Sequence, residues 1–168
     1  AGLENPNVGS VEVFGIKIGK ERDFAPNTGI LVDSPGFIEY YDGFTNLKML
    51  AEINDKISDN DIKSIMKKLG LDPENKTKLK NYSLGMKQKL GICQAIMENQ
   101  KLIMLDEPFN ALDEETNRIM INLIKSLKKE GKTILIISHK LQSLKEISDR
   151  VFIIKNQNIS DFNLKNVN

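Results

Sequence analysis

Leu102-Ile103-Met104-Leu105 is an unbroken apolar run, and Asp106-Glu107-Pro108 follows it directly. A strand with no polar side is stable where both of its faces are covered, as inside a parallel sheet. Parallel strands cannot be joined by tight turns and need crossover connections, usually helices. The sequence downstream supplies them. Asp113–Glu130 carries Ile119, Met120, Leu123, Ile124 and Leu127 at helical spacing. Thr133–Ile137 is a second apolar strand, expected to be buried like the first. Leu141–Ile147 reads as a helix, Val151–Ile154 as a strand, and Asn158–Phe162 as its hairpin partner. This alternation predicts an α/β fold with a mainly parallel sheet.

The first half is organised differently. Val11–Phe14 and the Ile16/Ile18 alternation predict two short strands, and Thr28–Val32 a buried one. Asp42 is a candidate N-cap for a helix through Leu47, Leu50 and Ile53. A second helix fits Asp59–Leu69 and stops at Gly70. Leu71–Tyr82 reads as a loop with a short element. A longer helix starts at Leu84 and reaches about Asn99, with a polar opening (Lys87, Gln88, Lys89) and an apolar back half expected to sink into the core. The stretch Asp42–Tyr82 is strand-free, which predicts a helical subdomain inserted in the sheet. The resulting division is a β-rich start over 1–41, helices over 42–99, and an α/β part over 100–168.

Charge narrows the function. Lys and Arg number 24 against 23 Asp and Glu, so the net charge is +1. Global electrostatics therefore makes no case for nucleic acid or an anionic membrane as partner. One cysteine, Cys93, cannot form an intrachain disulfide, which fits a reducing compartment. Its place in an apolar helix makes it a buried, inert thiol. No apolar run reaches the roughly 18 residues of a membrane span, and Ala1–Pro6 has no secretory-signal pattern, so any membrane span is expected from another chain.

Ligands of open α/β sheets sit at the C-terminal ends of the strands, where Asp106 and Glu107 fall. Asp106 suits Mg²⁺, directly or through water. Glu107 is placed to orient or deprotonate an attacking water. Upstream stands Tyr82-Ser83-Leu84-Gly85-Met86-Lys87-Gln88-Lys89-Leu90; downstream stand Asn110-Ala111-Leu112-Asp113 and Ile136-Ile137-Ser138-His139. With these motifs in this order, the sequence resembles the ATP-binding subunit of ABC transporters, and Ser34-Pro35-Gly36-Phe37 with the later Asn46-Leu47 look like the version found in bacitracin- and lantibiotic-resistance-type exporters. YSLGM corresponds to the signature motif usually written LSGGQ, LIMLDEP to the Walker B strand, ALD to the D-loop, and His139 to the H-loop histidine.

The resemblance implies a P-loop NTPase-like ABC ATPase core that uses ATP and Mg²⁺. It implies water attack on the γ-phosphate at composite sites of a dimer. Glu107 and His139 would be the catalytic pair and Asp106 a metal ligand. Ser83, Gly85 and Met86 would bind the nucleotide held by a second ATPase subunit, with Asp113 at the dimer seam. A helix opening at Ser83 also suits a phosphate physically, through its free N–H groups and its dipole. Ser83 and Asp113 have a plainer reading as well, as helix N-caps. The loop after Thr28–Val32 resembles the family's Q-loop, with Asp33 where the glutamine belongs; an acid there can approach Mg²⁺. Phe37, Tyr40 and Tyr41 are candidates either for a partner-facing surface or for packing of that loop.

The resemblance further implies a transmembrane permease as partner and a cytoplasmic, membrane-peripheral location on the inner face. A soluble ABC ATPase of ribosomes or DNA, and an interaction module without a P-loop, are the alternatives.

No G-x-x-x-x-G-K-[ST] phosphate cradle occurs in the sequence. Gly15–Lys20 has the wrong spacing, and Gly131-Lys132-Thr133 lies between a predicted helix and strand, the reverse of the needed order. Ala1–Gly15 resembles the stretch just after the family's P-loop helix, so the domain is expected to be N-terminally incomplete by about 40 residues. The chain alone is accordingly expected not to bind MgATP, and to expose sheet edge and apolar surface that favours association.

Overall fold

Phe14 and Gly15 both take left-handed φ, 53° and 78°. They form the two-residue turn that joins β1 (Val11–Val13) to β2 (Ile16–Ile18) as an antiparallel hairpin. In the computed structural model, which describes residues 1–32 and 36–162, a three-stranded parallel sheet follows. Its order is β3 (Thr28–Leu31), β4 (Leu102–Asp106), β5 (Thr133–Ile137), with Leu31 opposite Leu105 and Asp106 opposite Ile137. A last hairpin pairs β6 (Val151–Lys155) with β7 (Asn158–Phe162).

Three helices connect β3 to β4. α1 (Gly43–Asn54) is capped by Asp42, which accepts from the Thr45 N–H at 2.8 Å. α2 (Asp59–Lys68) opens on a Ser58/Asp61 capping box. After a 3₁₀ turn at Leu79–Asn81, α3 (Leu84–Ile96) behaves as its pattern predicts: Ser83 and Leu84 are exposed, while Leu90, Ile92, Cys93 and Ile96 are buried. α4 (Glu114–Lys129) connects β4 to β5, and α5 (Leu141–Ile147) follows β5.

The core lies between α3, α4 and one face of the sheet. Leu31, Ile103 and Leu105 meet Leu90, Ile92, Met120 and Ile124, all at most 2% exposed. Gly29 allows this approach, since a Cβ there would stand 1.7 Å from the Ala95 carbonyl oxygen. Asn46, buried on α1, pins the loop before it: its Oδ1 accepts from the Ile38 N–H at 2.8 Å, and its Nδ2 donates to the Ile38 and Asp42 carbonyls. Phe37 packs against the core, as the packing reading expects, whereas Tyr40 and Tyr41 are exposed.

Two expectations of burial fail. The strand expected over Thr28–Val32 ends at Leu31, and Val32 is 50% exposed. Thr133–Ile137 is not a buried strand: its residues alternate between exposed and half-buried. β5 pairs only with β4 among the described residues. Its Ile134 and Ile136 turn to the core, while Leu135 and Ile137 are 54% and 59% exposed on the opposite face. An apolar run shows that both faces are apolar, not that both are covered.

The decoy phosphate motifs are also placed. Gly15 lies in the hairpin turn, and Gly131, at φ 79°, separates α4 from β5. Neither precedes a helix.

Candidate functional site

β4 delivers Asp106 to the C-terminal end of the sheet, and the next residue turns away from it. Glu107 adopts φ 46°, left-handed for a residue with a Cβ. Its N–H donates to the Ile137 carbonyl at 2.8 Å, so its start remains tied to β5. Fully buried Pro108 and Phe109 then anchor the loop.

The Glu107 carboxylate gathers donors from the segment after β5. Oε1 accepts from the His139 N–H at 3.1 Å and lies 2.9 Å from His139 Nδ1. Oε2 accepts from the Ser138 hydroxyl at 3.3 Å. The carboxylate is 29% exposed and the imidazole 71%. The expected acid and histidine therefore meet, at the end of the sheet where the topology places ligands. Lys140 closes the segment, its Nζ donating to the Phe109 carbonyl at 2.7 Å.

Ser83 is the N-cap of α3, with Oγ accepting from the Met86 N–H at 3.2 Å. The oxygen accepts while the hydroxyl hydrogen stays available to donate, so capping and a phosphate contact are compatible. Gly85 lies against the turn after β4, where a Cβ would come within 2.8 Å of the Ala111 carbonyl oxygen. Asp113 caps α4, accepting from the Thr116 N–H at 2.7 Å; that backbone hydrogen bond holds its carboxyl below the usual carboxylate range. Asp33 lies outside the described residues. Cys93 is fully buried, and desolvation pushes its thiol far up, so it is inert.

Asp106 sits half-buried beside this constellation. No cluster of three or more potential metal ligands exists among the described residues.

Sequence reasoning passed over Ser138, Lys140 and Gln88. The first two flank His139, and adjacency could have flagged them. Gln88 donates from Nε2 to the Glu107 carbonyl at 3.0 Å across 19 residues, and no local pattern announces that contact.

The family model described as ABC transporter matches residues 1–110. The chain belongs to the ABC transporter family. Its relatives are ATP-binding subunits of that family. It is 38% identical over 149 residues to the uncharacterized ABC transporter ATP-binding protein YybJ of Bacillus subtilis, covering 89% of this chain and 68% of that protein. It is 37% identical over 155 residues to the bacitracin transport ATP-binding protein BcrA of Bacillus licheniformis, covering 91% and 51%. With the lantibiotic transport ATP-binding protein SrtF of Streptococcus pyogenes it shares 32% identity over 153 residues, covering 91% and 66%. This ABC chain thus spans about half to two thirds of the length of such relatives. Its fold matches that of the ATP-binding cassette MJ0796, solved as a dimer in a post-hydrolysis state with ADP and Pi, with a TM-score of 0.81 at 19% identity over 95% of this chain and 76% of that one. The ABC ATPase fold is therefore present, and no helix among the described residues is long and apolar enough to cross a membrane.

Proposed function

We propose that this chain forms the larger part of an ATP-hydrolysing subunit of an exporter for antimicrobial peptides or drugs. The observation that supports this best is the meeting of Glu107, Ser138 and His139 at the C-terminal end of β4. Glu107 is the base that orients or deprotonates water, and its three donors fix the carboxylate for that task. His139 faces the γ-phosphate. Asp106 would hold Mg²⁺, which would supply charge neutralisation at the phosphates when bound. Positioning and electrostatics then provide most of the acceleration.

Ser83, Gly85 and Met86 meet the nucleotide of a second subunit, and Asp113 stands at the seam between the two. A permease takes up the conformational change, which places the subunit at the inner face of the membrane. The relatives named for bacitracin and lantibiotic transport support the exporter class. The 168 residues contain no P-loop; in this reading the β-phosphate cradle comes from sequence outside them, and this chain alone does not turn over ATP.

The test is phosphate release by the product of the open reading frame taken with its upstream codons. Glu107→Gln should lower turnover at least about a hundredfold, the scale of a lost general base. Retained turnover removes Glu107 from the mechanism.

A further inference from the structure

The peptide unit that follows Glu107 is fixed by a residue of a distant helix. Its carbonyl accepts from the Asn110 N–H at 3.1 Å within the loop, and from Gln88 Nε2 on α3 at 3.0 Å. On the other side, the Glu107 N–H is held by Ile137 at 2.8 Å. Between these ties the residue stands at φ 46°, a conformation that a side chain with a Cβ leaves unless its surroundings enforce it. β5 enforces it from one end and α3 from the other. The side chain between the two ties carries the carboxylate that meets His139.

Gln88 lies five residues beyond Ser83, about one and a half helical turns. Over that distance a helix transmits displacement as a rigid rod. The first turn is itself seated on the same loop, because Gly85 leaves room for the Ala111 carbonyl. The opening of α3 therefore touches the loop that carries Glu107 at two points, Gly85 on Ala111 and Gln88 on Glu107.

We propose that Gln88 is a positioning residue for Glu107: its amide donor holds the base's carbonyl and links the opening of α3 to the carboxylate. The role rests on the function proposed above. There, the opening of α3 serves one composite site and Glu107 the other, so Gln88 couples the two sites through a single side chain.

Gln88→Glu removes the donor at nearly constant shape, and Gln88→Lys keeps a donor of similar reach. In the P-loop-containing polypeptide, Gln88→Glu should lower kcat about ten- to a hundredfold with KM for ATP nearly unchanged, the signature of a misplaced reacting group. Gln88→Lys should restore most of it. In this chain without nucleotide, hydrogen exchange at the His139 amide, which donates to Glu107, should quicken in Gln88→Glu and not in Gln88→Lys. Should Gln88→Glu fail to fold, Gln88→Met serves as the variant without a donor.

Glu107→Gln run in parallel separates the claims. If it keeps turnover, the underlying functional reading fails. If it abolishes turnover while the donor-free variants leave kcat and His139 exchange unchanged, or raise KM alone, the positioning role is overturned. Failure of Gln88→Lys to rescue also overturns it.

Discussion

Glu107 Oε1 and His139 Nδ1 stand 2.9 Å apart although 32 residues separate them in the chain. The contact exists because β4 and β5 are adjacent and parallel, in a register that sets Asp106 opposite Ile137. Each strand's exit loop then emerges at the same end of the sheet. The carboxylate also receives the His139 main-chain N–H, so the imidazole is not its sole support.

That redundancy makes a graded prediction. His139→Ala should lower phosphate release in the P-loop-containing polypeptide by less than Glu107→Gln does, because the Ser138 and main-chain donors still hold the carboxylate. We expect about ten- to a hundredfold, against at least a hundredfold for the base itself. Equal losses would mean that the carboxylate and the imidazole act as one unit, and that the other donors do not hold the carboxylate by themselves.

Two glycines should respond differently to the same added methyl group. At Gly29 a Cβ would meet main-chain oxygen at 1.7 Å, which only a shift of α3 off the sheet relieves. At Gly85 the nearest atom, also main-chain oxygen, is 2.8 Å away. Gly29→Ala should abolish cooperative unfolding, while Gly85→Ala should cost about 1–3 kcal/mol, the range of overpacking, in urea titration. A Gly29→Ala protein with an ordinary urea transition would disprove the assigned helix–strand contact.

Asp113 predicts a dependence on pH. Its carboxyl is held below the usual range by the Thr116 N–H. A depressed carboxyl contributes stability that is complete above its unfolded value, about 3.9, and is lost as pH falls through the folded value. Asp113→Asn keeps a capping oxygen but cannot titrate. Plotted as a difference from the parent between pH 2 and 6, its urea midpoint should gain relative stability only at the acid end. A flat difference would mean that the cap does not titrate with folding.

The uncovered sheet face should promote association. Leu135 and Ile137 lie on it, more than half exposed and close to the edge of β5. Sedimentation of this chain should depend on concentration, and Leu135→Lys should reduce the dependence. A parent that sediments as a monomer at every concentration contradicts this.

Cys93 should resist thiol reagents in the native chain and react fully in denaturant, because burial disfavours its thiolate. Rapid native labelling would show that the back half of α3 opens.

Periodicity located nearly every element, and the caps at Asp42, Ser83 and Asp113 fell where residue type placed them. These are local matters, settled by side chains within four residues of one another. Adjacent acids after an apolar strand were equally legible. Which strand would lie uncovered was not, since composition describes a strand's two faces and not what lies over them. Nor could the support of Glu107 be read, because Gln88 comes from α3 and Ser138 and His139 from beyond β5.

The linear order of residues was enough for helix against strand, for the acids at 106 and 107, and for the motifs that place the chain in its family. Register and the close approach at Gly29 were needed to bring 88, 107 and 139 to one point. Hydrogen bonds and contacts act over a few ångströms, and only folding carries residues so far apart in sequence within that range.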